Sequence, residues 1–458
     1  MTKFFCSLAL GAAALAAEPA DWIVTARYVV TMDPQRRIIE NGAVAVRGDA
    51  IVGVGSFAEI GQKFQARQRL DHGAALIAPG LVNTHTHAAM SLFRGVANDV
   101  RLQEWLEKYI FPAEARNLTP EFVRWGTRLA CLEMLLSGTT LFTDSYYFED
   151  TVAETVKEVG MRGVLGQTII GFPVADHKTP ADALRFADTY LARYSNDPLV
   201  VPAVSPHAIY TNTDETLRSA RALANKHAKP MLIHLSETKR ENDDTLAKRG
   251  ASPTKILDGM GMFEGRTIAA HGAKLDDADL SILKRRGAGI AHCPSSNMKL
   301  ASGVAPVVRM LSLGIPVGLG PDGPAGSNND FNLFEEMDLA GKLAKVMTND
   351  PTALPAATIV EMATIGGARV AGLDKQIGSL ESGKKADMIV VRIDRPHAVP
   401  MYDVYSQMVY SLKGSDVSDV MVNGRWLVRN RVAQTLKQAE IIDKAEQYRL
   451  KISTSLNR

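Results

Sequence analysis

Between residues 81 and 322 the chain repeats one pattern, a short apolar run followed by a stretch with helical spacing. The runs are LVNTH (81–85), TTLFTDS (139–145), GVLGQTII (163–170), LVVPAVS (199–205), PMLIHLS (230–236), TIAAHG (267–272), AGIAHC (288–293) and IPVGLGPD (315–322). Each has the length of one buried strand. The stretches between them, such as PEFVRWGTRLACLEMLLSG (120–138) and DFNLFEEMDLAGKLAKVM (330–347), carry apolar residues at helical intervals. Apolar strands alternating with helices form a parallel sheet covered on both faces, and eight of them close into a (β/α)8 barrel, here expected over 79–373.

The texture differs on either side. Residues 21–78 alternate apolar and polar side chains, with Gly48-Asp49 as a hairpin turn, and the same alternation returns over 374–432, where Asn423-Gly424 is a strong hairpin signal. The two segments are expected to pair into one composite β-sandwich, with a helix over 433–458. Residues 1–17 have a lysine, an apolar run and a small-residue site, Ala14-Leu15-Ala16, in the order of a secretory signal peptide. A periplasmic or secreted location is expected if that leader is real, and a cytoplasmic one otherwise. Fifty-two basic residues against 50 acidic ones give no basic stripe, so no nucleic-acid partner is expected, and no segment calls for a membrane. Three cysteines, one of them (Cys6) in the leader, exclude a disulfide framework and a four-cysteine zinc site.

Histidine placement carries the chemistry. Thr84-His85-Thr86-His87 ends the first apolar run, and residues two apart on a strand face the same way. His234, His271 and Asp322 end three other runs. The carboxyl ends of barrel strands converge on one site, so these side chains together suit a single divalent transition metal. Glu237, three residues past His234, is placed to act as an acid and base beside it. His271 can be a ligand or a group that orients and deprotonates the water, and its position in the sequence leaves both open.

Several longer stretches extend the pattern: PGLVNTHTHAAMSLFRG (79–95), LQEWLEKYIFPAEA (102–115), LLSGTTLFTD (135–144), SPHAIYT (205–211), HLSET (234–238), HG (271–272), HCPSSNMKLASG (292–303) and GSLESGKKADMIV (378–390). With these the chain resembles the amidohydrolase superfamily, and within it the 5-methylthioadenosine/S-adenosylhomocysteine deaminases. The resemblance implies a distorted (β/α)8 barrel carrying a β-sandwich from both termini. It implies metal ligands at His85, His87, His234 and Asp322, with zinc expected and iron the alternative, one ion per subunit. It implies substrate contacts at Trp105, Glu114, His207 and Glu237, with Glu114 accepting the ribose hydroxyls. Read without the resemblance, Trp105 is a helix-core aromatic and Glu114 an exposed helix glutamate, while His292 and Cys293 are structural. The implied reaction is hydrolytic deamination at C6 of an adenine ring, with Asp322 and His271 taking a proton from water and Glu237 protonating N1.

Two departures bear on substrate. The family's G-T-D-G-A-A-S-N-N stretch is Gly320-Pro321-Asp322-Gly323-Pro324-Ala325-Gly326-Ser327-Asn328-Asn329, with proline for threonine and one extra residue. After the third strand, GQTIIGFPVADHKTP (166–180) has Gln167 and no arginine to hold an amino-acid carboxylate. That disfavours the homocysteine derivative and leaves 5-methylthioadenosine, adenosine or another amino-heterocycle. The alternatives are an aminohydrolase of guanine, a pterin or an s-triazine, a cyclic-amide hydrolase, and a binding protein on the same scaffold. The fourth strand has no terminal lysine to carboxylate, which argues for one metal, and the cytidine-deaminase pattern of H-x-E with P-C-x-x-C is absent. The partner expected is a small molecule, and the sequence leaves homo-oligomerisation open.

Overall fold

The computed structural model describes residues 17–456, so all but the last residue of the expected leader, Cys6 included, lie outside them. Strands β1 (Glu18–Val30), β2 (Ile38–Arg47), β3 (Ala50–Ser56), β4 (Phe64–Asp71) and β5 (Ala75–Pro79) come first. The barrel strands follow: β6 (Leu81–Thr86), β7 (Thr139–Tyr146), β8 (Arg162–Ile169), β9 (Val200–Pro206), β10 (Met231–Leu235), β11 (Thr267–His271), β12 (Gly289–His292) and β13 (Val317–Leu319). Strands β14 (Met388–Arg392), β15 (Val417–Val422), β16 (Arg425–Arg429) and β17 (Val432–Ala433) precede a final helix, Gln438–Leu456.

Strands β6 to β13 close into a barrel in chain order, with β13 pairing parallel to β6. Among the described residues no helix is long and apolar enough to cross a membrane. The eighth strand is shorter than its apolar run. Pro321 has no N–H to offer a ladder, so β13 stops at Leu319 and Asp322 stands beyond it, at φ +64°, its N–H donating to the His85 carbonyl at 3.2 Å.

The two chain ends make one nine-stranded sheet, ordered β17-β16-β15-β14-β5-β1-β2-β3 with β4 against β1. The two ends thus pair into the composite β domain expected of them, along one continuous path of strands. Its apolar cluster unites Val24, Val44 and Ile51 from the first segment with Met388, Val390, Met421 and Trp426 from the last. The two hairpin turns meet. Asn423 and Gly424 both have positive φ, and a Cβ on Gly424 would overlap the Gly48 carbonyl oxygen of the other turn.

Arg162, at the start of β8, joins the barrel to the sheet. Its guanidinium donates to both carboxylate oxygens of Asp387, at 2.7 and 3.1 Å, to Asn423 Oδ1 at 2.8 Å and to the Pro198 carbonyl at 2.9 Å. Both charged side chains are buried. Removing the cation leaves a buried carboxylate unpaired. Arg162→Leu is expected to lower the unfolding free energy by about 3 kcal/mol, read as a shift in the denaturant midpoint.

Candidate active site

His85 lies near the end of β6, His87 just past it, His234 on β10 and His271 at the end of β11. The rings crowd together: His85 lies 4.9 Å from both His87 and His234 and 5.4 Å from His271, centroid to centroid. Asp322 Oδ1 is 3.3 Å from His85 Nε2 and 3.3 Å from His87 Nε2. Ligand atoms of His85, His234 and His271, and of His85, His87 and Asp322, fall within 4.8 Å of one another. The barrel therefore brings together all five side chains that the sequence placed at strand ends.

Their far sides fix which nitrogen faces inward. His87 Nδ1 donates to the Ser145 carbonyl at 2.6 Å, and His234 Nδ1 to the His207 carbonyl at 2.7 Å. His271 Nδ1 donates to Asn297 Oδ1 at 3.1 Å. Each Nε2 then faces inward, and those of His87 and His234 are 3.4 Å apart. His85 Nε2 is buried with no hydrogen-bond partner. Burial pushes the pKa of His85 down to about 4 and that of His234 well below the ordinary value, so both rings are neutral. Burial also opposes charge on His87, yet Asp322 draws its pKa up to about 9, so the cluster holds positive charge at this point. Burial would raise the Asp322 carboxyl too, but the His85 and His87 rings beside it hold it well below the usual range. Inward-facing imidazole nitrogens beside one ionised carboxylate fit a divalent metal, which would take the place of the proton on His87.

The helix Pro294–Lys299 orients both of the groups expected to handle a proton. Ser296 Oγ donates to Asp322 Oδ2 at 2.7 Å, and Asn297, the next residue, holds His271. The helix is itself tied down by Glu336, which accepts from the Ser295 N–H at 3.2 Å and from its hydroxyl. Sequence reasoning did not assign Ser296 or Asn297, although both lie in the HCPSSNMKLASG stretch it singled out. His292 and Cys293 are buried beside this helix.

Glu237 lies in the loop after β10, its Oε2 3.9 Å from His271 Nε2. Glu241 sets that loop, accepting from the Ser236 N–H at 3.1 Å and the Glu237 N–H at 2.8 Å. Burial raises the pKa of Glu237. The cleft that opens from here is lined by His87, His207, His234, Glu237 and Asp322, and by Trp105, Glu114, Tyr146 and Tyr147. Leu102, Leu106, Ile110 and Phe111 complete an apolar wall, and among the described residues no lysine or arginine lines the cleft. His207 stands 4.7 Å from His234, centroid to centroid, with Nδ1 3.1 Å from Thr211 Oγ1.

Two sequence readings are corrected here. Glu114 is not an exposed helix glutamate: it is 4% exposed and accepts a 2.7 Å hydrogen bond from the Tyr146 hydroxyl on β7. Burial pushes its pKa up to about 7. Trp105 is not plain helix core: it lines the cleft from a π-helical turn, Trp105–Ile110, and donates to the Ala325 carbonyl at 3.2 Å. Gln167, where an arginine was looked for, does not reach the cleft and is buried against Asp176 and Glu149.

Comparison with known proteins agrees with this geometry. Residues 76–427 match the amidohydrolase family. A 5-methylthioadenosine/S-adenosylhomocysteine deaminase of Thermodesulfovibrio yellowstonii is 46% identical, covering 93% of this chain and 97% of that protein. A 5′-deoxyadenosine deaminase of Methanosarcina acetivorans is 41% identical over 93% of this chain and 97% of its own length. Among solved structures, an adenosine deaminase from Xanthomonas campestris with bound zinc superposes with a TM-score of 0.94 at 38% identity, over 96% of this chain and all of that one.

Asn297→Ala is expected to weaken metal binding or activity by about 10- to 100-fold, because His271 loses the partner that fixes its tautomer. Titrating the metal-free protein with zinc and following turnover checks this.

Proposed function

The chain belongs to the amidohydrolase family and is a hydrolase acting on C–N bonds, and we propose that it deaminates adenosine-type nucleosides with a small, uncharged 5′ group, such as 5-methylthioadenosine or 5′-deoxyadenosine. The observation that carries the reading is Glu114. A buried carboxylate, already held by Tyr146 on one oxygen, faces the same cleft as the histidine cluster and suits a pair of sugar hydroxyls. A triazine, guanine or pterin presents no such pair. Leu102, Leu106, Ile110 and Phe111 give the cleft an apolar wall, and among the described residues no cation lines it for the homocysteine carboxylate.

The metal site would be held by His85, His87, His234 and Asp322, with His271 beside them, and zinc suits this mixed nitrogen and oxygen set. When bound, such an ion supplies the Lewis acidity that makes water a nucleophile at neutral pH. The chain's own groups do the rest. Asp322 and His271, both oriented by the helix Pro294–Lys299, are placed to take a proton from the attacking water. Glu237, whose raised pKa lets it carry a proton in the buried site, gives one to ring N1 and so opens C6 to attack. A C6–O bond forms, the C6–N bond breaks, the exocyclic nitrogen leaves as ammonia with the proton first taken from water, and the C6 hydroxyl proton returns to Glu237. The product is the corresponding inosine-type nucleoside.

Ammonia release and the ultraviolet shift of the purine ring test this directly. Turnover of 5-methylthioadenosine is expected, with S-adenosylhomocysteine poorer by about tenfold or more in kcat/KM. A metal-loaded protein inert towards every adenosine-type nucleoside overturns the reading. Glu237→Ala should keep its metal and lose on the order of 10²–10⁴ in kcat. Glu114→Gln should raise KM by about 10- to 100-fold for nucleosides while sparing any ring substrate that lacks ribose. Because burial raises the Glu114 pKa, its proton goes on below about pH 7 and removes an acceptor. Nucleoside KM should therefore climb as pH falls through that range in the parent, and the climb should be absent in Glu114→Gln.

A further inference from the structure

The loop from Gly320 to Asn329, one residue longer than the family pattern, carries Asp322 near its start and Gly326 in its middle. Gly326 has φ +142°, a conformation that side-chain-bearing residues rarely adopt. A Cβ there would overlap the Ala97 carbonyl oxygen and the Trp105 indole nitrogen, and would stand 3.1 Å from Trp105 Cδ1. The chain segment at the mouth of the cleft, residues 94–110, is therefore packed directly on the backbone of this loop.

Three further fastenings surround that contact. The Trp105 indole N–H donates to the Ala325 carbonyl at 3.2 Å. Lys299 Nζ bridges the two segments, donating to the Gly326 carbonyl and, at 2.8 Å, to Asn98 Oδ1. Arg94 donates to the Asn329 carbonyl and pairs with Glu133. Glu133 in turn accepts from the Phe331 N–H at 3.0 Å, just past the loop. The mouth segment supplies Leu102, Trp105, Leu106 and Ile110 to the cleft wall.

We propose that Gly326 is a positioning residue for nucleoside binding: its missing side chain lets the mouth segment dock on the Asp322 loop, and this docking sets where Trp105 stands in the cleft. Gly326 touches no substrate and acts through Trp105. The proposal rests on the deaminase reading for its kinetic test, and its structural part stands apart from that reading. A side chain at 326 unseats the indole, so the effect falls on substrate binding more than on the chemical step.

The test compares the parent with Gly326→Ala, each with and without Trp105→Phe, using 5-methylthioadenosine as substrate. Gly326→Ala is expected to raise KM by about tenfold while kcat changes by less than about threefold and metal content stays the same. In the Trp105→Phe background the same substitution should add little further. Acrylamide quenching of tryptophan fluorescence should increase in Gly326→Ala and show no such increase once Trp105 is gone. Lys299→Met loosens the same contact without strain at 326 and should move KM and quenching in the same direction. An unchanged KM alongside a lowered Tm would mean that Gly326 only relieves strain, and would overturn the proposal. So would a KM effect of full size in the Trp105→Phe background. If the parent deaminates no nucleoside, the functional reading fails, while the quenching comparison still decides the contact.

Discussion

Two imidazole nitrogens, Nε2 of His87 and Nε2 of His234, are held 3.4 Å apart at the centre of the site. Neither His87 nor His234 can turn away, because each has its other nitrogen bound to a backbone carbonyl at the end of a barrel strand or just past one, Ser145 and His207. Nitrogen atoms crowded in this way repel one another unless a proton or a metal ion stands between them and Asp322. Much of the surrounding structure serves to keep this arrangement in place. Ser236, His271 and Asp322 all adopt positive φ, at 47°, 72° and 64°. For residues with side chains such conformations cost roughly 1–3 kcal/mol each. A closed barrel can bear that cost because its strands are buried along their whole length and cannot relax independently.

The same barrel separates stability from chemistry by strand direction. The metal cluster, Glu237 and Tyr146 stand at or just past the carboxyl ends of their strands. Arg162 stands at the amino end of β8 and spends its four hydrogen bonds tying that end to the nine-stranded sheet and to the Pro198 carbonyl. A change at the Arg162–Asp387 pair therefore acts on the joint between barrel and sheet without touching a ligand. A change at Asn297 or Ser296 does the reverse, because those residues hold His271 and Asp322 directly.

What could be read from the sequence follows the range of the interaction involved. Strand runs and hairpin turns are local, so the eight barrel strands and the Asn423-Gly424 turn were legible. The five strand-end donors were legible because parallel strands in a closed barrel must bring their carboxyl ends together. Glu114 was not legible from its own neighbourhood, since its burial depends on a tyrosine hydroxyl 32 residues away. Trp105 was hidden for the same reason, its partner being a carbonyl 220 residues on. Only the family pattern pointed to either. The joining of both chain ends into one β domain was legible in their shared alternation and hairpin turns, but its strand order was not, because it depends on β5 pairing with both β1 and β14.

Glu114 and Glu237 show how one fold gives two carboxylates different work. Both are buried, and burial raises both pKa values. Glu114 is held through its own oxygen by the Tyr146 hydroxyl, which favours the ionised acceptor and fixes its direction. Glu237 is held through its backbone, with Glu241 accepting from its N–H, so its carboxyl is left free to gain and lose a proton beside His271. A group that must accept two hydroxyls needs a fixed orientation, and a group that must move a proton needs a free one. The hydrogen-bond partners distinguish the two carboxylates, where residue type alone could not, and agree with the roles proposed for them.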